Sequence, residues 1–330
     1  MRILLNSINC GLGNNGGSAT LVRSANILHQ LGHDVIIVDT IGNRHLWTPL
    51  EAGFKKIHKI GHFPSGDVVI ATGYNTWNQT LDLPERCGKK FVWVRGWEIW
   101  NAPEEKIVKI LSDSRFIKIV NSICLQEKLK QHGISSHIIR PGYDFDELYP
   151  ENIRDSKNVV LGGIFNKGSK RAGKRTEWIF ETARFIKKNY PYVKLFMFGT
   201  DGVPNNDLVD IFVKEPDIKR KNDLYNQMSI LLSPTKLEGL HIVPAEAMLT
   251  ECCVVGTNAP MSGMQDYLIN NETGIVTENN LTSFINGVEE LVIMDEIRNT
   301  LGLAARDKIL SLGSREMNMQ RFVDLLKEFV

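Results

Sequence analysis

Pro234-Thr235-Lys236-Leu237-Glu238-Gly239-Leu240-His241-Ile242-Val243-Pro244-Ala245-Glu246-Ala247-Met248-Leu249 carries two glutamates, and the apolar run Met228-Ser229-Ile230-Leu231-Leu232-Ser233 stands just before it. That run has strand character, and from Ile242 onward apolar and small residues fall at helical spacing, so the order reads strand, loop, helix. Glu238 then lies in the loop and Glu246 within the start of the helix. Both are expected to face the crevice beyond the strand's carboxyl end, where open parallel sheets bind ligands. Backbone N–H groups from Leu240 to Val243 point into the same space, and a helix start favours anions. The stretch offers two hydroxyl acceptors beside a phosphate cradle.

Working outward, the same alternation fills the chain. Residues 2–9 read as an apolar strand, followed by a glycine-rich loop, a helix from Ser18 to Leu31 stopped at Gly32, and a buried strand closed by Asp39. Short continuous apolar runs recur at Asp67–Ala71, Lys90–Val94, Phe116–Val120 and His137–Ile139, as in a parallel sheet buried on both faces. Pro141-Gly142 and a polar stretch to Asp155 interrupt the pattern, so a domain boundary is expected near residue 150. The alternation restarts at Asn158–Gly163 and continues through Val193–Phe198, Cys252–Gly256 and Thr273–Val276. The expected organisation is a Rossmann-like domain over 1–150, a second over 151–313, and a terminal helix over 314–330 that packs back on the first. The fold class is α/β, with two Rossmann-like domains of parallel sheet facing a cleft.

A chain of 330 residues is long for one hydrophobic core and comfortable for two. Its 42% hydrophobic and 23% charged content is that of an ordinary globular protein, and a net charge of +1 excludes a strongly basic nucleic-acid coat. Five cysteines without CxxC spacing read as reduced, buried thiols. No apolar run approaches the ~20 residues of a membrane span, and Met1-Arg2-Ile3-Leu4-Leu5 is too short for a signal-peptide core. A cytoplasmic location is expected. The eight histidines form no HExxH motif, and no metal ion or other cofactor is expected.

Gly11-Leu12-Gly13-Asn14-Asn15-Gly16 satisfies GxGxxG after a strand and before a helix, with Asp39 ending the next strand. Three readings stand: a dinucleotide fingerprint, as in an NAD-dependent oxidoreductase; a loop whose backbone, at Gly16 and Gly17, approaches a phosphate or sugar; or a tight turn. Lys167, Lys170, Arg171, Lys174 and Arg175 crowd a loop at the carboxyl edge of the sheet that presents Glu238, where two cations could neutralise a diphosphate leaving group. Asp144-Phe145-Asp146 spells DxD but follows Pro141-Gly142, which favours a turn and helix cap. Val92-Trp93-Val94-Arg95-Gly96-Trp97-Glu98-Ile99-Trp100 sets an arginine, a glutamate and three tryptophans at a strand end, with Trp97 or Trp100 able to stack on a sugar or base. His241 reads either as a donor toward phosphate or as a packed core histidine.

Taken together, these residues resemble the retaining glycosyltransferases of family 4, which have the GT-B fold. Glu238 through Met248 is similar to that family's E-x7-E signature, continued by Cys252-Cys253-Val254-Val255-Gly256-Thr257, Gly263-Met264-Gln265-Asp266-Tyr267 and Asn271-Glu272-Thr273-Gly274. Gly16-Gly17 with Leu31-Gly32-His33-Asp34-Val35 resembles the amino-terminal pattern, and Arg140-Pro141-Gly142-Tyr143-Asp144 the linker.

The resemblance implies transfer of a sugar, UDP-linked, from a nucleotide diphosphate sugar to an acceptor hydroxyl, with retention and without a metal. Glu238 would contact the donor sugar's hydroxyls, Glu246 the ribose, and the backbone of Gly239, Leu240, His241, Ile242 and Val243 the diphosphate. Where the family has an arginine after the first strand of the second domain this chain has Ile164, so Arg171 or Lys170 is the expected substitute. Lys174 falls at the family's lysine, and Arg95 stands where many members have histidine. A glycan or lipid-linked saccharide is the expected acceptor, with peripheral membrane contact left open. A hydroxymethylated base in DNA is the alternative, for which Lys55, Lys56 and Lys59 would supply phosphate contacts.

Overall fold

The computed structural model describes residues 1–151, 153–154, 158–168 and 173–330. The chain runs β1 (Arg2–Asn6), α1 (Gly16–Gln30), β2 (Asp34–Asp39), β3 (Gly53–Lys56), β4 (Val68–Ala71), α2 (Tyr74–Leu81), β5 (Lys89–Val94), α3 (Glu104–Leu111), β6 (Ile117–Val120), α4 (Ile123–Gln131) and β7 (His137–Ile138). It continues with β8 (Val160–Ile164), α5 (Thr176–Asn189), β9 (Lys194–Gly199), β10 (Ile211–Lys214), α6 (Ile218–Gln227), β11 (Ile230–Ser233), α7 (Ile242–Leu249), β12 (Cys253–Thr257), β13 (Ile275–Thr277), α8 (Leu281–Ile293), α9 (Asp295–Leu312) and α10 (Arg315–Lys327). Two compact units result: Met1–Gly142 together with Ser314–Val330, and Tyr143–Gly313. The chain crosses between them ahead of residue 150, because Tyr143 and Leu148 are already buried in the second unit's core.

Every pairing between named strands is parallel. The first unit has seven strands in the order β3-β2-β1-β4-β5-β6-β7, and the second has six in the order β10-β9-β8-β11-β12-β13. Central strands such as Val68–Ala71 and Cys253–Thr257 are buried at every position, which is why their sequences run apolar without alternation. In each sheet the chain leaves one central strand toward one edge and returns to build the other, so the connections after β1 and β4, and after β8 and β11, diverge. Such a divergence opens a crevice at the carboxyl ends of the two strands.

Two local features differ from the expected pattern. The first helix begins at Gly16 rather than Ser18, because the Asn15 side chain accepts the Ser18 N–H at 3.0 Å and draws both glycines into the first turn. β3, Gly53-Phe54-Lys55-Lys56, has one apolar side chain and no periodic signal. It exists because the exposed edge of β2 pairs with it, Ile36 to Gly53 through Asp39 to Lys56.

In the first unit's core, Met319, Phe322, Val323 and Leu326 of α10 are buried against strands β1, β4 and β5 and helix α1. Their 3-4-7 spacing makes one apolar stripe on the helix. The second unit's core lies on both faces of its sheet. On one face α7 and α9 cover Leu231 and Val254; on the other α5 and α8 cover Leu161, Leu195 and Val255.

Candidate functional site

In the second unit, the connections after β8 and β11 meet at the point where strand order reverses. β11 delivers Ser233 and then the loop carrying Glu238; β8 ends at Ile164, and its connection carries Lys174 into α5. A backbone bond joins the two loops, and another ties the Glu238 loop to the connection after β12. Lys236 N–H donates to the Gly173 carbonyl at 2.9 Å, and Glu238 N–H donates to the Met261 carbonyl at 2.7 Å. Across this junction Lys174 and Glu238 form an ion pair, with side chains 27% and 21% exposed. Partial exposure matters here: both groups are open to a ligand.

The helix start behind Glu238 is fixed from both sides. His241 N–H donates to the Gly263 carbonyl at 3.0 Å, and the His241 carbonyl accepts the Tyr267 hydroxyl. Of the backbone groups expected to cradle a diphosphate, the His241 N–H is therefore already used. Ile242 and Val243, in the first turn of α7, keep N–H groups that have no intrahelical acceptor. Pro244 follows as the third helical residue and has no N–H to leave unmet. The imidazole of His241 is buried, with Nδ1 3.1 Å from Ser233 Oγ and Nε2 3.9 Å from Glu238 Oε1. Burial first, and the Lys174 charge second, hold it well below the usual histidine range, so the ring is neutral. Ile164, Asn166, Lys174, Thr235, His241 and Val243 line a recess open to solvent.

Glu246 is held by α6. The Tyr225 hydroxyl donates to Oε2 at 2.7 Å, and the Lys221 ammonium lies 3.2 Å from the same oxygen. Burial, then the Glu246 charge, keeps the Tyr225 phenol well above its usual value, so it stays a donor. Neither partner was singled out in the sequence. Their four-residue separation, which sets both on one face of a helix leading into β11, was the available signal.

Gly263 makes this packing possible. Its φ is +74°, and a Cβ there would stand 2.8 Å from Glu238 Cβ and 3.0 Å from the His241 nitrogen. Gly263→Ala is expected to displace the Glu238 loop and, by placing a Cβ 2.8 Å from Glu238 Cβ, to destabilise the second unit by more than the left-handed backbone cost alone. Gly202→Ala, at φ +103° with open space around it, carries only the left-handed backbone cost of roughly 1–2 kcal/mol. Equal unfolding midpoints in the two variants would show that Gly263 does not set the packing around Glu238.

The remaining expected residues fall elsewhere or are otherwise engaged. Arg171 and Lys170 lie outside the described residues. Lys167 N–H donates to Asp201 at 3.1 Å, and Arg175, at φ +53°, bonds the Pro234 carbonyl and Asn279 and stacks on Trp178. Ile164, at the end of β8, is packed against the core. Asp144 sits in a turn, its carbonyl accepting the Glu147 and Leu148 N–H groups.

Arg95 belongs to the first unit, at the carboxyl end of β5. Its guanidinium donates to the Thr72 carbonyl from Nε and Nη2, at 2.9 and 2.7 Å, and to the Gly17 carbonyl from Nη1 at 2.7 Å. It thereby ties the first turn of α1, with Gly16 and Gly17, to the end of β4. Glu98 accepts Tyr74 N–H at 3.1 Å and serves α2 as a cap that Gly73, lacking a side chain, cannot provide. Trp93 and Trp97 are buried, whereas Trp100 is 59% exposed. Asp39 is buried, and its carboxylate accepts the N–H groups of Gly11 and Ile41 at 2.9 and 2.7 Å. Those bonds close the glycine-rich loop and occupy the carboxylate that a dinucleotide fingerprint would place on a ribose.

Two histidine pairs stand four residues apart, His29 with His33 and His58 with His62. His29 Nδ1 is turned to the His33 carbonyl, and His33 Nδ1 to the terminal amine of Met1. Among the described residues no three His, Cys, Asp or Glu side chains gather as a metal site would require, and no helix is long and apolar enough to cross a membrane.

Residues 164–293 match the family model described as glycosyl transferases group 1. The chain is 27% identical over 196 residues to the capsular polysaccharide biosynthesis glycosyltransferase CapM of Staphylococcus aureus, covering 56% of this chain and 50% of that one. It is 24% identical over 166 residues to the alpha-1,3/1,6-mannosyltransferase ALG2 of Mus musculus, covering 44% of this chain and 38% of that one. It thus spans half or less of the curated relatives it matches. The Anabaena HepE structure in complex with UDP and glucose superposes with a TM-score of 0.77 at 14% identity, over 100% of both chains. The fold is the GT-B fold.

Proposed function

We propose that this chain is a retaining glycosyltransferase of family 4 that moves a sugar from a UDP-linked donor to an acceptor hydroxyl. The observation that carries the reading is the meeting of Glu238 and Lys174 at the strand-order reversal of the second sheet, with Glu246 fixed behind them by Tyr225 and Lys221. In this reading Lys174 and the first-turn N–H groups of Ile242 and Val243 receive the diphosphate. Glu238 accepts hydroxyls of the donor sugar, and Glu246 those of the ribose. The acceptor oxygen bonds to the anomeric carbon as the bond from that carbon to the phosphate oxygen breaks, and the acceptor proton passes to the departing phosphate on the same face. Charge on the leaving group is met by side-chain cations and backbone dipoles, so a metal ion is not required. A glycan or lipid-linked saccharide is the proposed acceptor; the capsular polysaccharide biosynthesis named for the CapM relative supports the glycan.

A panel of UDP, GDP and NAD tests the donor class by thermal unfolding. A ligand at a hundred times its Kd adds about 2.7 kcal/mol to the unfolding free energy, a readily measured rise in Tm. UDP is expected to stabilise and NAD to have no effect; stabilisation by NAD alone would overturn the assignment.

A further inference from the structure

The proposed reading asks two things of one contact. Lys174 must receive phosphate oxygens and Glu238 must receive sugar hydroxyls, yet the two side chains are paired with each other. The third group at this junction is His241. Its main chain is held at both ends, by the Gly263 carbonyl and the Tyr267 hydroxyl, and its Nδ1 lies 3.1 Å from Ser233 Oγ. The ring therefore has one orientation. Nε2 is buried without a hydrogen-bond partner, and it lies 3.9 Å from the same Glu238 oxygen that Lys174 occupies. A buried polar atom left unmet destabilises a structure, so a rearrangement that gives it a partner is favoured.

We propose that a nucleoside diphosphate draws Lys174 from Glu238 onto its phosphates, and that His241 Nε2–H then holds the Glu238 carboxylate in the loaded site. The exchange rests on the donor class proposed above. With Ser233 donating its hydroxyl proton to Nδ1, the neutral ring carries its hydrogen on Nε2, where it can donate to the carboxylate. A neutral ring also suits the task, because a cation at this position would compete with Lys174 for Glu238. His241 is in this account a positioning residue. It keeps Glu238 oriented toward the sugar after the ammonium has left, so that breaking the ion pair does not leave a partly buried carboxylate unmet.

Binding of UDP alone, measured by calorimetry, separates the exchange from a structural role. In Glu238→Gln the carboxylate that retains Lys174 is gone, and UDP is expected to bind about fivefold more tightly, the scale of a partly exposed ion pair. Loss of a site-lining group for structural reasons would weaken binding instead. In the unmodified background His241→Ala is expected to weaken UDP binding about tenfold, and His241→Gln, which keeps an N–H donor, to recover most of it. In the Glu238→Gln background His241→Ala should change affinity less than about twofold, a coupling that independent sites do not show. UDP binding to the unmodified chain with Glu238→Gln equal or weaker overturns the exchange while leaving the donor class standing. No binding of UDP or GDP to the unmodified chain overturns the donor class, and the exchange with it.

Discussion

Lys174→Ala and Glu238→Ala are each expected to lower turnover at least about a hundredfold with the fold intact. The size follows from the role. A preorganised group aimed at charge that develops in the transition state contributes roughly 2.7–4 kcal/mol, or about 10²–10³ in rate. The fold survives because both side chains are partly exposed and neither supports the core. Removing one partner leaves the other reachable by water, unlike the rupture of a fully buried pair. The two variants should differ in kind. In the proposed function Lys174→Ala removes a phosphate contact present in both ground and transition states, so it raises the donor KM as well as lowering kcat. Glu238→Ala acts at the sugar and appears mainly in kcat. Release of nucleoside diphosphate from a UDP-sugar, with unfolding midpoints as a control, is the measurement. Wild-type turnover in either variant would sink the assignment.

What made the fold legible was burial. A strand covered on both faces has no polar alternation, so Val68–Ala71, Ile230–Ser233 and Cys253–Thr257 stand out as short apolar blocks between turns. β3 shows the limit: its pairing comes from the open edge of β2 and has no counterpart in its own composition. The site divides in the same way. The loop position of Glu238 and the helical position of Glu246 could be read locally, because a strand, a glycine and a helix start fix them within a few residues. The demand on Gly263 could not. Its left-handed backbone is imposed by the approach of a loop distant in sequence, and nothing beside Gly263 announces that Glu238 will lie against it. His241 was open between donor and core histidine for a related reason. It is buried like the second and carries an unmet ring nitrogen like the first, and only the tertiary structure displays both.

Truncation after Gly313 is expected to unfold the first unit. The segment Ser314–Val330 is last in sequence but belongs to that unit, where Met319, Phe322, Val323, Leu325 and Leu326 are buried in the core. Full burial of such a side chain contributes about 1.5–3 kcal/mol, so the five together contribute on the order of 10 kcal/mol. A domain's whole stability is about 5–15 kcal/mol. The helix is thus as large a term as the margin it supports. Phe322→Ala is the graded version, expected to cost about 3–5 kcal/mol because the ring packs on Trp93, at 5.2 Å between centroids, and leaves a cavity when removed. Intrinsic fluorescence reads this directly. Trp47, Trp77, Trp93, Trp97 and Trp100 lie in the first unit and Trp178 in the second, so emission follows chiefly the unit in question. The truncated chain should show the red-shifted emission of hydrated tryptophan under native conditions, and Phe322→Ala a lowered urea midpoint. Unchanged emission and midpoint in the truncated chain would mean that the terminal helix is not part of the first unit's core.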